Sequence, residues 1–300
     1  MTTLFFMLSP VCSFFGTGNH PGQLSGICIT IMITAALVCF VVGEITSNYS
    51  QVDKLWSLMP VIYSLIALIY SPNPRLLIMC ILVTTWGIRL SYNLHRKGGY
   101  NIVPWKGEED YRWKIMRQQP LLKGRIRFGM FNLFFISFYQ HMVIFLFCSP
   151  LLLAAKYRDQ GLTPFDILIA FLILVFLVIE TIADNQQFRF QKLKKQNKPS
   201  GGLFAESLKK GFLSEGLWRF VRHPNFVSEQ AIWICFYFFG VAASGKWINW
   251  TLAGPALLVL LFMGSTALTE NISSKKYPGY EAYRNNVPKF FLRLFSSHKQ

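Results

Sequence analysis

Apolar residues along this 300-residue chain gather into runs of about bilayer length, parted by short links and by long basic segments. A helix needs about 20 largely apolar residues to cross the hydrocarbon core of a membrane. That template predicts seven spans, at residues 25–43, 55–70, 76–93, 128–155, 165–183, 224–243 and 248–268. The links at 71–75 (S-P-N-P-R) and 244–247 are short and turn-like, which makes the spans on either side antiparallel neighbours. Residues 1–15 are apolar but interrupted by Pro10, and predict an interfacial segment. The fold class is therefore all-α: a polytopic membrane protein with about seven transmembrane helices. A short N-terminal apolar segment (1–24) precedes a single membrane-embedded domain (25–300), with no internal repeat.

Charge orients these spans. Residues 89–127 carry 10 Lys and Arg, residues 184–225 carry 9 and residues 269–300 carry 6, of 30 in the chain. The alternate links hold only Arg75, Lys156, Arg158 and Lys246. The positive-inside rule places the first set in the cytosol. Glu44, Asp53, Glu180, Asp184, Glu229 and Glu270 then all fall at the cytosolic ends of spans. A source in a eukaryote implies the endoplasmic reticulum, and one in a bacterium the inner membrane. The formal net charge of +16 belongs to membrane-flanking loops, which fits anionic lipid headgroups better than nucleic acid.

Composition removes other classes. The six cysteines are scattered in or beside the spans, with no CxxC and no Cys/His cluster, so no metal site is predicted. No G-x-G-x-x-G follows a strand, so any dinucleotide must be held by membrane helices and their loops. The first residues lack a basic n-region, and no cleaved signal peptide is expected. His141, inside the fourth span, reads as a helix–helix hydrogen-bonding residue. Asn249-Trp-Thr251 is a glycosylation triplet of the kind that also occurs by chance.

The chemistry concentrates in W-R-F-V-R-H-P-N-F-V-S-E-Q, residues 218–230. Pro224 suits the first turn of a helix, where its missing N–H costs nothing. Unpaired N–H groups and the helix dipole favour an anion there, and Arg219 and Arg222 add full charges. Asn225 and Glu229 share a helical face, and a carboxylate at the bilayer edge marks a functional candidate. Glu180, Asp184, Gln187 and Gln191 form a polar stripe on the fifth span, which reads as the wall of a cavity open to the cytosol. Tyr277, Tyr280 and Tyr283 recur every third residue, as a belt at the membrane interface or a platform for a base.

R-H-P-N-F-V-S-E (222–229) with W-R-F before it resembles the C-terminal region of the steroid 5-alpha-reductase superfamily. E-T-I-A-D-N-Q (180–186), Y-P-G-Y-E-A-Y-R (277–284) and G-E-E-D-Y-R-W (107–113) extend the resemblance over about residues 45–295. It implies a seven-helix enzyme that takes NADPH from the cytosol and reduces an activated C=C bond of a lipid-like substrate arriving from the bilayer. Carried over by position, Asn225 and Glu229 fall on the pair that holds the nicotinamide side of the cofactor. Asp184 falls on an acidic cofactor contact, Arg89 on a basic one, and Asp53 on the family's acid. Glu180, Arg189, Arg219, Arg222, His223 and Tyr280 join the cofactor-binding set, Arg189 and Arg222 as phosphate partners by proximity rather than by a motif match. Trp86 stands where the family has a tyrosine that polarises the substrate carbonyl, with Tyr92 as the nearest replacement. An indole N–H donates a hydrogen bond but is not a practical proton source. Glu180 stands where the steroid enzymes have Asn. Both departures point away from a true steroid substrate.

R-H-P followed by a small polar residue also resembles isoprenylcysteine and phospholipid methyltransferases, which use S-adenosylmethionine. A lipid-binding or scaffolding role on the same fold is the non-enzymatic reading.

Overall fold

A computed structural model describes residues 21–290 apart from 104, 197–201 and 203. The interfacial segment expected at 1–15 lies outside the described residues. The described residues are helical and contain no strand. In chain order they form α1 (Pro21–Thr46), α2 (Gln51–Trp56), α3 (Met59–Tyr70), α4 (Pro74–Arg96), α5 (Tyr111–Gln118) and α6 (Arg125–Phe131). A π-helical stretch (Asn132–Tyr139) leads into α7 (Gln140–Cys148) and α8 (Pro150–Lys156). Then come α9 (Pro164–Lys195), α10 (Ala205–Lys210), a 3-10 turn (Gly216–Arg219), α11 (Pro224–Ser244), a second 3-10 turn (Trp250–Leu252), α12 (Ala253–Lys276) and α13 (Tyr280–Asn286).

Seven helical stretches are long and apolar enough to span a bilayer: Gly22–Thr46, Gln51–Tyr70, Pro74–Arg96, Arg125–Lys156, Pro164–Lys195, Pro224–Ser244 and Trp250–Lys276. Each predicted span is found. Two run longer than their hydrophobic pattern. α9 continues past Ala183 to Lys195, and α12 past Leu268 to Lys276. A helix continues into water as long as its residues have helical propensity, and no Gly or Pro stops either one.

The chain divides into two compact units where the sequence predicts one domain. The division falls inside continuous helices, at Ala170/Phe171, Cys235/Phe236 and Ala256/Leu257, where no change of composition marks it.

In the first unit α1 packs on the π-helical stretch and α7, and α3 runs along α4. The wide π turn places Asn132 where its amide donates to Glu44 Oε1 at 2.8 Å. Nine residues on, buried His141 engages the Ser137 carbonyl of its own helical stretch through Nδ1 at 2.7 Å and faces Cys39 Sγ on α1 at 3.9 Å. The expected helix–helix role for His141 therefore has named partners. Gly254 lies against the α7 backbone, where a Cβ would come within 2.3 Å of the Leu146 carbonyl oxygen, so α12 and α7 meet at backbone distance.

One end of this unit is closed by Arg75, which the sequence reads only as a link charge. Its guanidinium is 1% exposed and pairs bidentately with Asp166, Nε to Oδ1 at 2.7 Å and Nη2 to Oδ2 at 3.1 Å. The Gln160 and Gly161 carbonyls accept its remaining protons, while the Thr163 N–H and hydroxyl donate to Asp166. Asn73 caps α4 through the Leu76 N–H and reaches the Ala154 carbonyl. The start of α4, the end of α8 and the start of α9 are thus tied together.

Removing one member of a buried pair leaves a desolvated charge, whereas replacing both with apolar residues is often tolerated. Arg75→Met is expected to cost about 3–5 kcal/mol. Arg75→Met with Asp166→Leu is expected to recover most of it, as read from unfolding midpoints of the purified protein in detergent. Equal losses in the single and double variants would refute the assignment.

Candidate functional site

In the first unit the polar side chains gather where the 97–118 loop meets the link between α1 and α2. The Asn48 amide donates to the Gly107 carbonyl at 3.0 Å, and the Tyr49 N–H to Glu109 Oε1 at 3.1 Å. Lys54, 6% exposed, donates to Gln51 Oε1 at 3.2 Å and to the Lys106 carbonyl at 2.8 Å. Asp53 is half-buried, and its Oδ2 accepts from the Trp113 indole at 3.2 Å. The stretch 107–113 therefore acts as a clasp on the start of the second span, and Trp113 orients the carboxylate expected to be the acid. Asp110 caps α5 and takes Arg112 bidentately, at 2.9 Å to each oxygen. Burial raises the Asp110 carboxyl, but Arg112 outweighs it and holds the group below its ordinary value. A depressed acid stabilises the fold above its unfolded pKa, and that contribution is lost as pH falls through the folded value.

On α4 the two aromatic candidates face different ways. Trp86 is 1% exposed, whereas Tyr92 is 63% exposed with the Arg96 guanidinium over its ring at 5.6 Å. Six helical residues turn about 240°, so Tyr92 does not take over the position of Trp86. Arg89 lies between them in sequence and is half-buried.

The second unit holds the acidic stripe and the R-H-P-N turn. Glu180 and Asp184 are buried on α9, at 4% and 5% exposure. Asn225, in the first turn of α11, donates to Asp184 Oδ1 at 3.3 Å. Its Oδ1 is sealed from solvent without a hydrogen-bond partner, and so is Gln187 Oε1, one turn along the same stripe from Asp184. Glu229, one turn into α11, accepts from the Trp233 indole at 3.0 Å. The structure thus joins Asp184 to Asn225 directly and keeps Glu180 and Glu229 buried on the same two helices. Arg189 and Arg219 are exposed.

Arg222 and His223, expected among the cofactor contacts, are both engaged by Glu270. Arg222 binds Glu270 bidentately, Nε to Oε1 at 2.8 Å and Nη2 to Oε2 at 3.3 Å. Its Nη1 is shared by the Arg284 and Val287 carbonyls, and its backbone N–H meets the Pro288 carbonyl. His223 Nε2 lies 2.8 Å from Glu270 Oε1, and its ring stacks on Phe226. The Arg222 charge at this helix start is therefore paired with Glu270, which the sequence places only at a cytosolic span end. Tyr280, expected at the cofactor, is 6% exposed, packs edge-on to Phe212 at 5.0 Å and touches Tyr283. Burial pushes its phenol up to about 12. It is a wall of an aromatic cluster. The signal for Glu270 was a carboxylate at the end of an apolar run, with Lys275 and Lys276 as the next charged residues. Trp113 and Trp233 carried no separable signal.

Among the described residues no group of three or more His, Cys, Asp or Glu side chains is placed to hold a metal ion.

Glu270→Leu strands the buried Arg222 guanidinium and takes the partner from His223, and is expected to cost about 3–5 kcal/mol. Glu281→Gln, at an exposed acid nearby in sequence, is expected to change stability by less than about 0.5 kcal/mol. Melting of both variants in detergent decides it, and comparable small effects would show that Glu270 is not the hub. Asp110→Asn is expected to flatten the acid limb of the stability–pH curve, and an unchanged limb would count against the Arg112 contact.

The family described as "Protein of unknown function (DUF1295)" matches residues 39–287, which covers both polar clusters. An uncharacterised protein of the fission yeast Schizosaccharomyces pombe is 37% identical over 285 residues, covering 89% of this chain and 81% of the yeast protein. No solved structure matches the chain. By extent and identity of match, the chain belongs to the DUF1295 family.

Proposed function

We propose that the protein is a membrane oxidoreductase that uses NADPH to reduce an activated C=C bond, an enone or enoyl group, of a lipid-like substrate taken from the bilayer. The observation that carries this reading is the pair of sealed acceptors, Asn225 Oδ1 and Gln187 Oε1, beside the Asp184–Asn225 contact. An acceptor buried without a donor costs about 1–3 kcal/mol, so a bound molecule that supplies N–H groups fits there. A carboxamide NH2, as on a nicotinamide, has that chemistry. The likeness of 180–186 and 222–229 to the steroid 5-alpha-reductases supports the same assignment. The nicotinamide, when bound, supplies the hydride.

The chain's own residues have these roles in the reading. Asp184 accepts from the Asn225 NH2 and so aims the Asn225 oxygen. Trp233 fixes Glu229. Arg189 and Arg219, exposed at the basic end, suit the phosphates. Glu270 holds Arg222 and His223 and thereby the start of α11, a positioning role. Taken by itself, the first unit supplies the candidate acid, Asp53, oriented by Trp113. The basic loops support a cytosolic site in this reading.

A second reading has one observation in its favour. Glu180, Asp184 and Glu229 are three buried carboxylates on the same two helices, which suits a cationic ligand such as S-adenosylmethionine and hence a methyltransferase.

Ligand-induced stabilisation of the purified protein separates the readings. NADPH at about 100 times its Kd is expected to add about 2.7 kcal/mol. Asn225→Ala is expected to weaken NADPH binding by roughly tenfold or more through loss of one buried hydrogen bond and its orienting contact. Stabilisation by S-adenosylmethionine alone would replace the reductase with the methyltransferase. Stabilisation by neither would leave the non-enzymatic role.

A further inference from the structure

Three helices of the second unit end at one place. Lys194, in the last turn of α9, donates to the carbonyl of Gly211, the residue that caps α10, and to the Tyr277 hydroxyl just beyond α12 at 2.8 Å. Its ammonium lies 4.5 Å from the Tyr277 ring centroid, and that of Lys276 lies 5.5 Å from it. Gly211 has φ +84°, and a Cβ there would stand 2.9 Å from the Tyr277 ring, so the junction closes only around glycine.

Each helix brings lysines to this junction in its last turn: Lys192 and Lys195 on α9, Lys209 and Lys210 on α10, Lys275 and Lys276 on α12. All six are exposed. The helix dipole accounts for cations at each end taken singly. It does not account for gathering three such ends around a seventh lysine, because the pairs then repel one another. Only Lys209 has an acidic partner among the described residues, Glu206 at 2.9 Å. Tyr277 registers the resulting field: burial opposes its ionisation, yet Lys194 and Lys276 outweigh burial and lower its pKa.

We propose that this lysine crown is a binding site for the phosphorylated headgroup of an anionic membrane lipid. α9 is about 48 Å long at ~1.5 Å per residue against a hydrocarbon core of ~30 Å, so its last turns stand in the headgroup zone and the water just outside it. Juxtamembrane lysines in that zone attract anionic lipid, and clustering raises the local potential. The site holds whether or not the reductase reading does.

The test uses the full chain in neutral detergent and lipid retention measured by native mass spectrometry. The probes are short-chain phosphatidylinositol 4-phosphate, phosphatidylcholine, the free headgroup inositol 1,4-bisphosphate, and NADPH. Retention of the anionic lipid over phosphatidylcholine is expected. It is expected to fall about tenfold in K192Q/K195Q/K275Q/K276Q and to persist in K123Q/R125Q, a control in another basic loop. Wild-type retention in the quadruple variant would overturn the proposal. Free inositol bisphosphate is expected to compete only at concentrations well above those of the lipid; displacement by NADPH, or by free inositol bisphosphate at equal concentration, would overturn the proposal as well, since the crown would then be a site for a soluble polyanion.

Discussion

A charge that leaves water must find its counter-charge inside the protein, and in the second unit that requirement falls on Glu270. Its two oxygens face Arg222 and His223 at the start of α11, with the Arg284 guanidinium at 3.8 Å. Arg222 reaches on to the carbonyls of Arg284 and Val287, in and just after α13. One carboxylate therefore ties the end of α12, the start of α11 and the C-terminal tail. In the first unit the Arg75–Asp166 pair plays the matching part for α4 and α9. In both places the alternative to pairing is a desolvated ion, and the surrounding backbone carbonyls are used up in preventing it.

This pairing changes the meaning of the R-H-P-N turn. Two cations before a helix start suggest an anion site, because dipole and charge add. With Glu270 in place the Arg222 charge is largely cancelled. What the turn then contributes to ligand chemistry is Asn225, held by Asp184, with its oxygen directed away from that contact. The stretch thus divides into a half held by Glu270, Arg222 and His223, and a half, Asn225 and Glu229, that the proposed reading assigns to the ligand.

The spans were legible because bilayer length and apolar runs are local properties, and the stripe of Glu180, Asp184, Gln187 and Gln191 was legible because it has helical period. The ends of α9 and α12 were not, since the hydrophobic pattern stops where lipid stops while the helix continues. The partners were not legible either. Arg75 meets Asp166 across 91 residues and Arg222 meets Glu270 across 48, and such pairings leave no local trace. The same holds for Trp113 on Asp53, 60 residues apart. A loop read only as basic and aromatic is in fact the clasp on the second span. Tyr92 shows the converse failure. Nearness in sequence to Trp86 proposed it as a substitute, and the 100° turn per helical residue places it on another face.

The polarity of the second unit limits what it can bind. Its buried end presents carboxylates and two amide oxygens that lack donors, and its exposed end presents Arg189 and Arg219. A ligand matched to that order has N–H donors at its buried end and anionic groups at its exposed end. A bare phosphate satisfies only the second condition, and an ammonium compound without phosphates only the first. A nicotinamide dinucleotide meets both, with its carboxamide and its phosphates at opposite ends. S-adenosylmethionine meets the first through its ammonium and offers the two arginines a single carboxylate, where the dinucleotide offers several phosphate charges. That asymmetry, more than any single residue, is why the reductase reading stands ahead of the methyltransferase.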